Sequence, residues 1–172
     1  SGHILCYMFD VLVQIYEAYG YTARDAAASI VKNNIYGLDI DDRASQLAYF
    51  AIMMKARQYD RRFFTRSIKP NVYSIAESNN VSRDVVEYFS NGNDDLSKEI
   101  EIVLKEMRNA KEYGSILNIS KVDWNILFAR FDEIYDDVSL FRQGALDDLL
   151  PLVKVAQALE QKYHVVITNP PY

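Results

Sequence analysis

The chain has one cysteine, two histidines and a shortage of positive charge. No apolar run approaches the roughly 20 residues that a membrane-spanning helix needs. Cys6 stands alone, so no disulfide can form within the chain. With no signal peptide opening the sequence, a reducing, cytoplasmic setting is expected. Cys6 lies among Leu5, Tyr7 and Met8 and reads as a small core residue rather than a nucleophile. His3 and His164 are far apart with no second ligand near either, so no metal site is expected. Lysine and arginine number 19 against 24 aspartates and glutamates, giving a net charge of −5 and a pI near 5.0. A domain that grips nucleic acid by itself usually carries a basic face. This composition advertises none, so any nucleic-acid partner is expected to be held mainly by something else.

What is present fits one globular domain: 172 residues, 49% hydrophobic and 25% charged, without repeats or low-complexity segments. Ile4, Met8, Val11, Leu12, Ile15 and Tyr19 form a helical stripe, stopped by Gly20. Thr22 with Asp25 three residues on resembles a capping box and opens a helix through Val31. The short apolar run Ile35–Ile40, "IYGLDI", reads as a buried strand. Asp41 and Asp42 then cap a helix in which Ala44, Leu47, Ala48, Ala51, Ile52 and Met54 keep helical spacing. Pro70 introduces a second strand, Asn71–Ile75. Between Glu77 and Tyr163 the pattern becomes helical, with "SNNVS" and "SNGNDD" as turn punctuation. Its stripes run through Ile100, Val103, Leu104 and Met107, through Trp124, Leu127, Phe128, Phe131 and Ile134, and through Leu146 to Leu159. Pro151 is expected to kink or split the last of these. A β-branched run, "HVVIT", is an expected third strand before "NPPY", one that a sheet lacking its central strand would leave displaced, unpaired or paired with another chain.

Strands separated by helices predict an α/β fold with a parallel sheet, whose ligands bind at the carboxyl ends of the strands. Asp39, Asn71 and the NPPY stretch are expected at or beside that edge. Asp39 can accept both hydroxyls of a ribose, or cap the following helix. Ile40 can lie flat on a purine or serve the core. Asn71 can meet an adenine edge or simply form a turn.

NPPY is the most specific signal. Pro170 and Pro171 fix the backbone and remove two amide donors. The Asn169 side-chain oxygen and the Pro170 carbonyl can accept both hydrogens of an exocyclic amine, while Tyr172 stacks on the ring. Such acceptance frees the amine lone pair to attack an electrophilic methyl group, with the protein supplying position and polarisation.

A strand followed by NPPY resembles the catalytic motif of S-adenosylmethionine-dependent amino-methyltransferases, chiefly the adenine-N6 DNA methyltransferases. "SGHILCYMFDVL" resembles the tail of their glycine-rich cofactor loop and first helix, and "IYGLDIDDRASQLAYFAIMMKA" their second strand and helix. "PNVYSI" falls where a third strand belongs. The combination is most similar to the large adenine methyltransferases of BREX-type phage-defence systems and to fused type IIG restriction–modification enzymes.

The resemblance implies an incomplete Rossmann-like fold of the class I methyltransferases with a large helical insertion. Residues 1–76 would begin the cofactor-binding domain, 77–163 would be the insertion, and 164–172 the catalytic strand and motif. S-adenosyl-L-methionine is the implied cofactor, held by Gly2, Asp39, Ile40 and Asn71. Asn169, Pro170, Pro171 and Tyr172 are the implied catalytic group. Only Ser1 and Gly2 of the glycine loop are present, and neither the first strand nor a target-recognition region is seen. The chain therefore reads as an internal fragment, inactive by itself. Its parent would grip double-stranded DNA through other parts and work with defence-system partner proteins, away from any membrane. The same motif also serves methyltransferases of RNA adenine and of protein glutamine. A helical interaction module without catalysis is the reading from a different class, and it leaves NPPY unexplained.

Overall fold

The computed structural model describes residues 2–114 and 117–168. The fold is dominated by helices and contains one small parallel sheet. It divides into two compact units, the first ending at Ala76 and the second beginning at Glu77.

In the first unit, helix α1 (His3–Ala18) is followed by α2 (Ala23–Ser29). The Thr22 hydroxyl oxygen accepts the Asp25 amide at 3.1 Å while the hydroxyl hydrogen is donated to the Asp25 carboxylate at 2.8 Å. Threonine and aspartate thus satisfy one another at the helix start. The chain then widens into a π-helical turn, Ile30–Asn34, closed by the Ile35 amide on the Ile30 carbonyl. Strand β1 (Tyr36–Asp39) leads into helix α3 (Asp42–Tyr59), and strand β2 (Asn71–Ser74) returns parallel to β1. Asp41 is the N-cap of α3 and accepts the amides of Arg43 and Ala44, whereas Asp42 is already the first helical residue. Tyr36 pairs with Asn71 and Asp39 with Ser74.

The core of this unit is built on Phe9, Val13, Ala26, Ala27, Ile30, Val31, Ile35, Ile52, Ala56 and Phe63. This corrects part of the helical face expected for α1: Phe9 and Val13 point inward with Met8 and Leu12 packed beside them, whereas Ile4, Val11, Ile15 and Tyr19 are exposed. The helix is apolar on several faces, so more than one stripe satisfies a 3.6-residue period. Gly37 explains the packing of α1 on the sheet, because a Cβ there would lie 2.6 Å from the Leu5 Cδ1 atom.

The second unit is helical among its described residues: α4 (Arg83–Ser90), α5 (Asp94–Glu106), α6 (Ala110–Tyr113), α7 (Trp124–Ile134), α8 (Phe141–Gly144) and α9 (Leu150–Glu160). Its core includes Phe89, Ile100, Val103, Met107, Leu127, Ile134, Leu149 and Leu152. The helical run from Leu146 to Leu159 is divided beside Pro151, as expected: a π-helical turn, Ala145–Leu149, comes before it, and the proline stands in the first turn of α9.

The expected strand over 164–168 is absent. Val165, Val166 and Ile167 are irregular and 66%, 76% and 54% exposed. β-Branched side chains favour extended backbone, but a strand exists only where a neighbour completes its hydrogen-bond ladder. Among the described residues the sheet has two strands, and this segment pairs with neither. No described helix is long and apolar enough to cross a membrane.

Candidate functional site

The two parallel strands give the first unit two chemically different ends. At the carboxyl end, Asp39 is half-buried, and its Oδ1 accepts the Asp41 amide at 3.0 Å. An aspartate carboxylate offers about four acceptor positions, so most of its capacity remains after one hydrogen bond. The Asp39 carbonyl accepts the Ile75 amide at 2.8 Å, which extends the pairing one step beyond Ser74. Ser74, level with Asp39 in the register, donates its hydroxyl to the Asp42 carboxylate in a short hydrogen bond. Ile40 is 56% exposed directly after Asp39.

Gly2 also belongs near α3. It precedes α1 with φ of 77°, and a Cβ on it would sit 2.8 Å from the Ala48 Cα. Two constraints therefore demand glycine: a left-handed backbone, and a helix backbone pressed against it. Ala48 lies seven residues beyond the Asp41 cap, about 10 Å along the axis of α3. Helix α1 starts without a side-chain cap and without an acidic residue in its first turn. The positive end of its dipole is thus not offset by a local carboxylate.

Asn71 is not at this edge, and its expected placement is corrected. It opens β2 opposite Tyr36, at the amino end of the sheet, three residues and roughly 10 Å from the level of Asp39. Its amide nitrogen donates to the carbonyls of Val31 and Lys32, at 3.3 and 3.1 Å, and its oxygen accepts the Tyr73 hydroxyl at 3.1 Å. Asn71 satisfies the carbonyls left by the π-helical turn, an architectural task.

Strand direction would have separated the two positions, since β2 starts at Asn71 and only its far end lies beside Asp39. Ser74 and Asp42 are the polar groups that a reading of single residues missed at that edge. Asn169, Pro170, Pro171 and Tyr172 lie outside the described residues.

Cys6 is partly buried against the core. Burial pushes its thiol above the ordinary value, with Lys55 acting in the opposite direction and Asp10 adding to the rise. The protonated thiol is a packing group, not a nucleophile.

Comparison with known proteins adds the remaining observations. Residues 33–172 match the family model described as Eco57I restriction-modification methylase. Over its whole length the chain is 37% identical to the adenine-specific methyltransferase PglX of Lacticaseibacillus casei (strain Zhang). It is 35% identical to the adenine-specific methyltransferase BrxX of Escherichia coli O9:H4 (strain HS). The chain spans 15% of the first relative and 16% of the second.

Proposed function

The chain belongs to the Eco57I restriction-modification methylase family, and from that premise we propose that it is part of an S-adenosylmethionine-dependent methyltransferase that modifies the N6 amine of adenine in DNA. The fold of the complete enzyme is proposed to be Rossmann-like, with residues 1–76 contributing to the cofactor domain, 77–163 inserted, and 164–172 carrying the catalytic motif. The proposed setting is phage defence, as the resemblance to BREX-type methyltransferases implies, with defence-system proteins as partners.

Of the four residues expected to hold the cofactor, three suit it and one does not. Gly2 presents a backbone that no Cβ could share, at the uncapped N-terminus of α1, which favours a carboxylate. Asp39 keeps acceptors for two ribose hydroxyls, and the exposed Ile40 offers an apolar face beside it. Asn71 does not fit, because its amide is already engaged. S-adenosylmethionine, when bound, supplies a methyl group activated by a sulfonium centre.

The chain's own groups do the rest. The Asn169 side-chain oxygen and the Pro170 carbonyl accept the two amine hydrogens, which turns the nitrogen lone pair outward. Tyr172 stacks on the base, and Pro171 keeps the turn rigid. The adenine must leave the duplex to present its amine in this way.

The observation that carries the proposal is the sequence Asn169–Tyr172 inside the matched region, which runs through residue 172. Asn169→Ala in the full-length enzyme removes an acceptor that matters most in the transition state. Turnover should fall by about 10²-fold or more, the scale for loss of one preorganised polar group. Methylation-sensitive sequencing of DNA from cells carrying the variant reads the result. Normal adenine methylation would refute the mechanism.

A further inference from the structure

The net charge of −5 conceals a polarised first unit. Helix α3 runs against the strands, so it begins at the carboxyl edge and ends at the amino edge. The chain from its last turn to β2 reads "RQYDRRFFTRSIK", residues 57–69, with five cations and one carboxylate. Asp60, only 4% exposed, gathers this segment. It accepts the Arg62 amide at 3.0 Å, makes a short ion pair with Arg66, and lies 3.8 Å from the Arg24 guanidinium. Asn71 holds the carbonyl of Lys32 at the same end.

Arg24, Lys32, Arg57, Arg61, Arg62, Arg66 and Lys69 are thus seven of the nine cations before Glu77. The carboxylates on this side are mostly engaged: Asp10 by Lys55 and Tyr59, Asp25 by Thr22, Asp60 by its arginines. With Lys55, Asp10, Glu17, Asp25 and Asp60 included, this end has four more positive than negative charges. Asp39, Asp41 and Asp42 against Arg43 leave the other end two negative.

We propose that this cationic amino end is a second contact surface for DNA, binding the sugar–phosphate backbone of the duplex away from the cofactor edge. Arg57, Arg61, Arg62 and Lys69 are exposed, and the Arg57 guanidinium lies 5.4 Å from the ring centre of Phe64, itself 50% exposed. Five of the seven cations are arginines, whose planar forks match phosphate oxygens in pairs. A protein-docking face would need an apolar centre, and within residues 57–69 Phe64 is the one large apolar side chain that is exposed. The inference rests on the reading that the full-length protein acts on DNA. It replaces the expectation that the grip on the DNA backbone lies mainly in other parts of the protein. Four-residue strands put roughly 10 Å between the two ends, so these cations set affinity and register, not chemistry.

The test uses the full-length protein and a fluorescent duplex of arbitrary sequence, with binding measured across a salt series. The triple substitution Arg61→Gln, Arg62→Gln and Lys69→Gln changes three exposed side chains. The slope of log K against log salt should become shallower by roughly 2 to 3, about 0.9 for each phosphate that is no longer neutralised. The charge-preserving set Arg61→Lys, Arg62→Lys and Lys69→Arg should keep the original slope, which separates charge from folding. An unchanged slope in the glutamine variant overturns the inference. So does loss of poly-glutamate binding with the DNA slope intact, which would mark a face for an acidic protein. Failure of the methyltransferase reading shows elsewhere: normal methylation by Asn169→Ala would sink that reading and leave the salt result standing.

Discussion

The two units use charge in opposite ways. Residues 1–76 carry nine lysines and arginines and seven acids, a net +2, while residues 77–172 carry ten and seventeen, a net −7. In the first unit the net charge separates along the strand direction, negative at the carboxyl end and positive at the amino end. Parallel strands joined by a returning helix have two distinguishable ends, so a charge pattern along the chain becomes a polarity in space. In the second unit much of the charge serves architecture. Asp123 caps α7 with its carboxylate, as the neutral Asn93 side chain caps α5. Arg130 reaches into the structure to donate to the carbonyls of Tyr88 and Phe89. One unit gathers net charge of opposite sign at its two ends, and the other uses charge to hold helices.

The hardest blow to that comparison should come from the core of the second unit. Phe89 is fully buried, with its ring centre 4.6 Å from that of Phe131, and its carbonyl anchors Arg130 at 2.8 Å. If the unit relies on apolar packing and merely trims its helices with charge, Phe89→Ala should cost about 3–5 kcal/mol. Denaturant unfolding gives the magnitude, and hydrogen exchange should show the lost protection in α4, α5 and α7. A cost below about 1 kcal/mol would mean that charge and capping, not packing, carry this unit.

A smaller effect should sharpen the picture of the carboxyl edge. Gly2 and Gly20 both have positive φ, 77° and 86°, but only Gly2 faces another backbone. A Cβ at Gly20 would meet nothing within 4 Å. Gly20→Ala should therefore show backbone strain alone, about 1–2 kcal/mol. Gly2→Ala should cost more, because α3 must retreat at Ala48, and titration calorimetry of the full-length enzyme should show weaker cofactor binding. Equal stability losses in the two variants would remove the close approach from the account.

Much of this was legible from the sequence, and the gaps have physical causes. Caps announce themselves: Thr22 with Asp25, and Asp41 before α3, are local side-chain chemistry and stand where expected. Both expected strands of the first unit are present, trimmed at Ile40 and Ile75 and at Ile35, whose amide is taken by the π-helical turn. A π turn leaves no composition signal, since one shifted hydrogen bond changes no residue type. Helix α4 went unread because its inward residues, Val85 and Phe89, make only one i, i+4 step between two turn clusters. The segment 164–168 shows that β propensity names a preference, while pairing is a property of the neighbours. Of the expected site residues, Asp39 lies at the carboxyl edge, where strand and helix order put it, but Asn71 was misplaced because the strand's direction was not applied to it.

The finest difference between the units appears in acid. Burial opposes ionisation of Asp60, but the Arg62 amide and the guanidinium groups of Arg66 and Arg24 outweigh it and hold the carboxyl below its usual range. Asp137 is also lowered, chiefly by the Tyr88 hydroxyl donating at 2.5 Å, then by the Val138 amide. For both, the folded value lies below the unfolded one of about 3.9. Their contribution is therefore fully present above that pH and is lost as pH falls through the folded value. The partners differ: charged guanidinium groups in the first unit, a neutral phenol first in the second. Urea midpoints measured from pH 6 to pH 2 should show that Asp60→Asn and Asp137→Asn each flatten the acid limb. Raising the salt concentration should weaken the limb associated with Asp60, because ion pairing is screened, and leave that of Asp137 nearly unchanged. Identical salt responses would mean that Asp60, too, is held mainly by hydrogen bonds to its neighbours, and that the cationic end draws no organisation from its one buried charge.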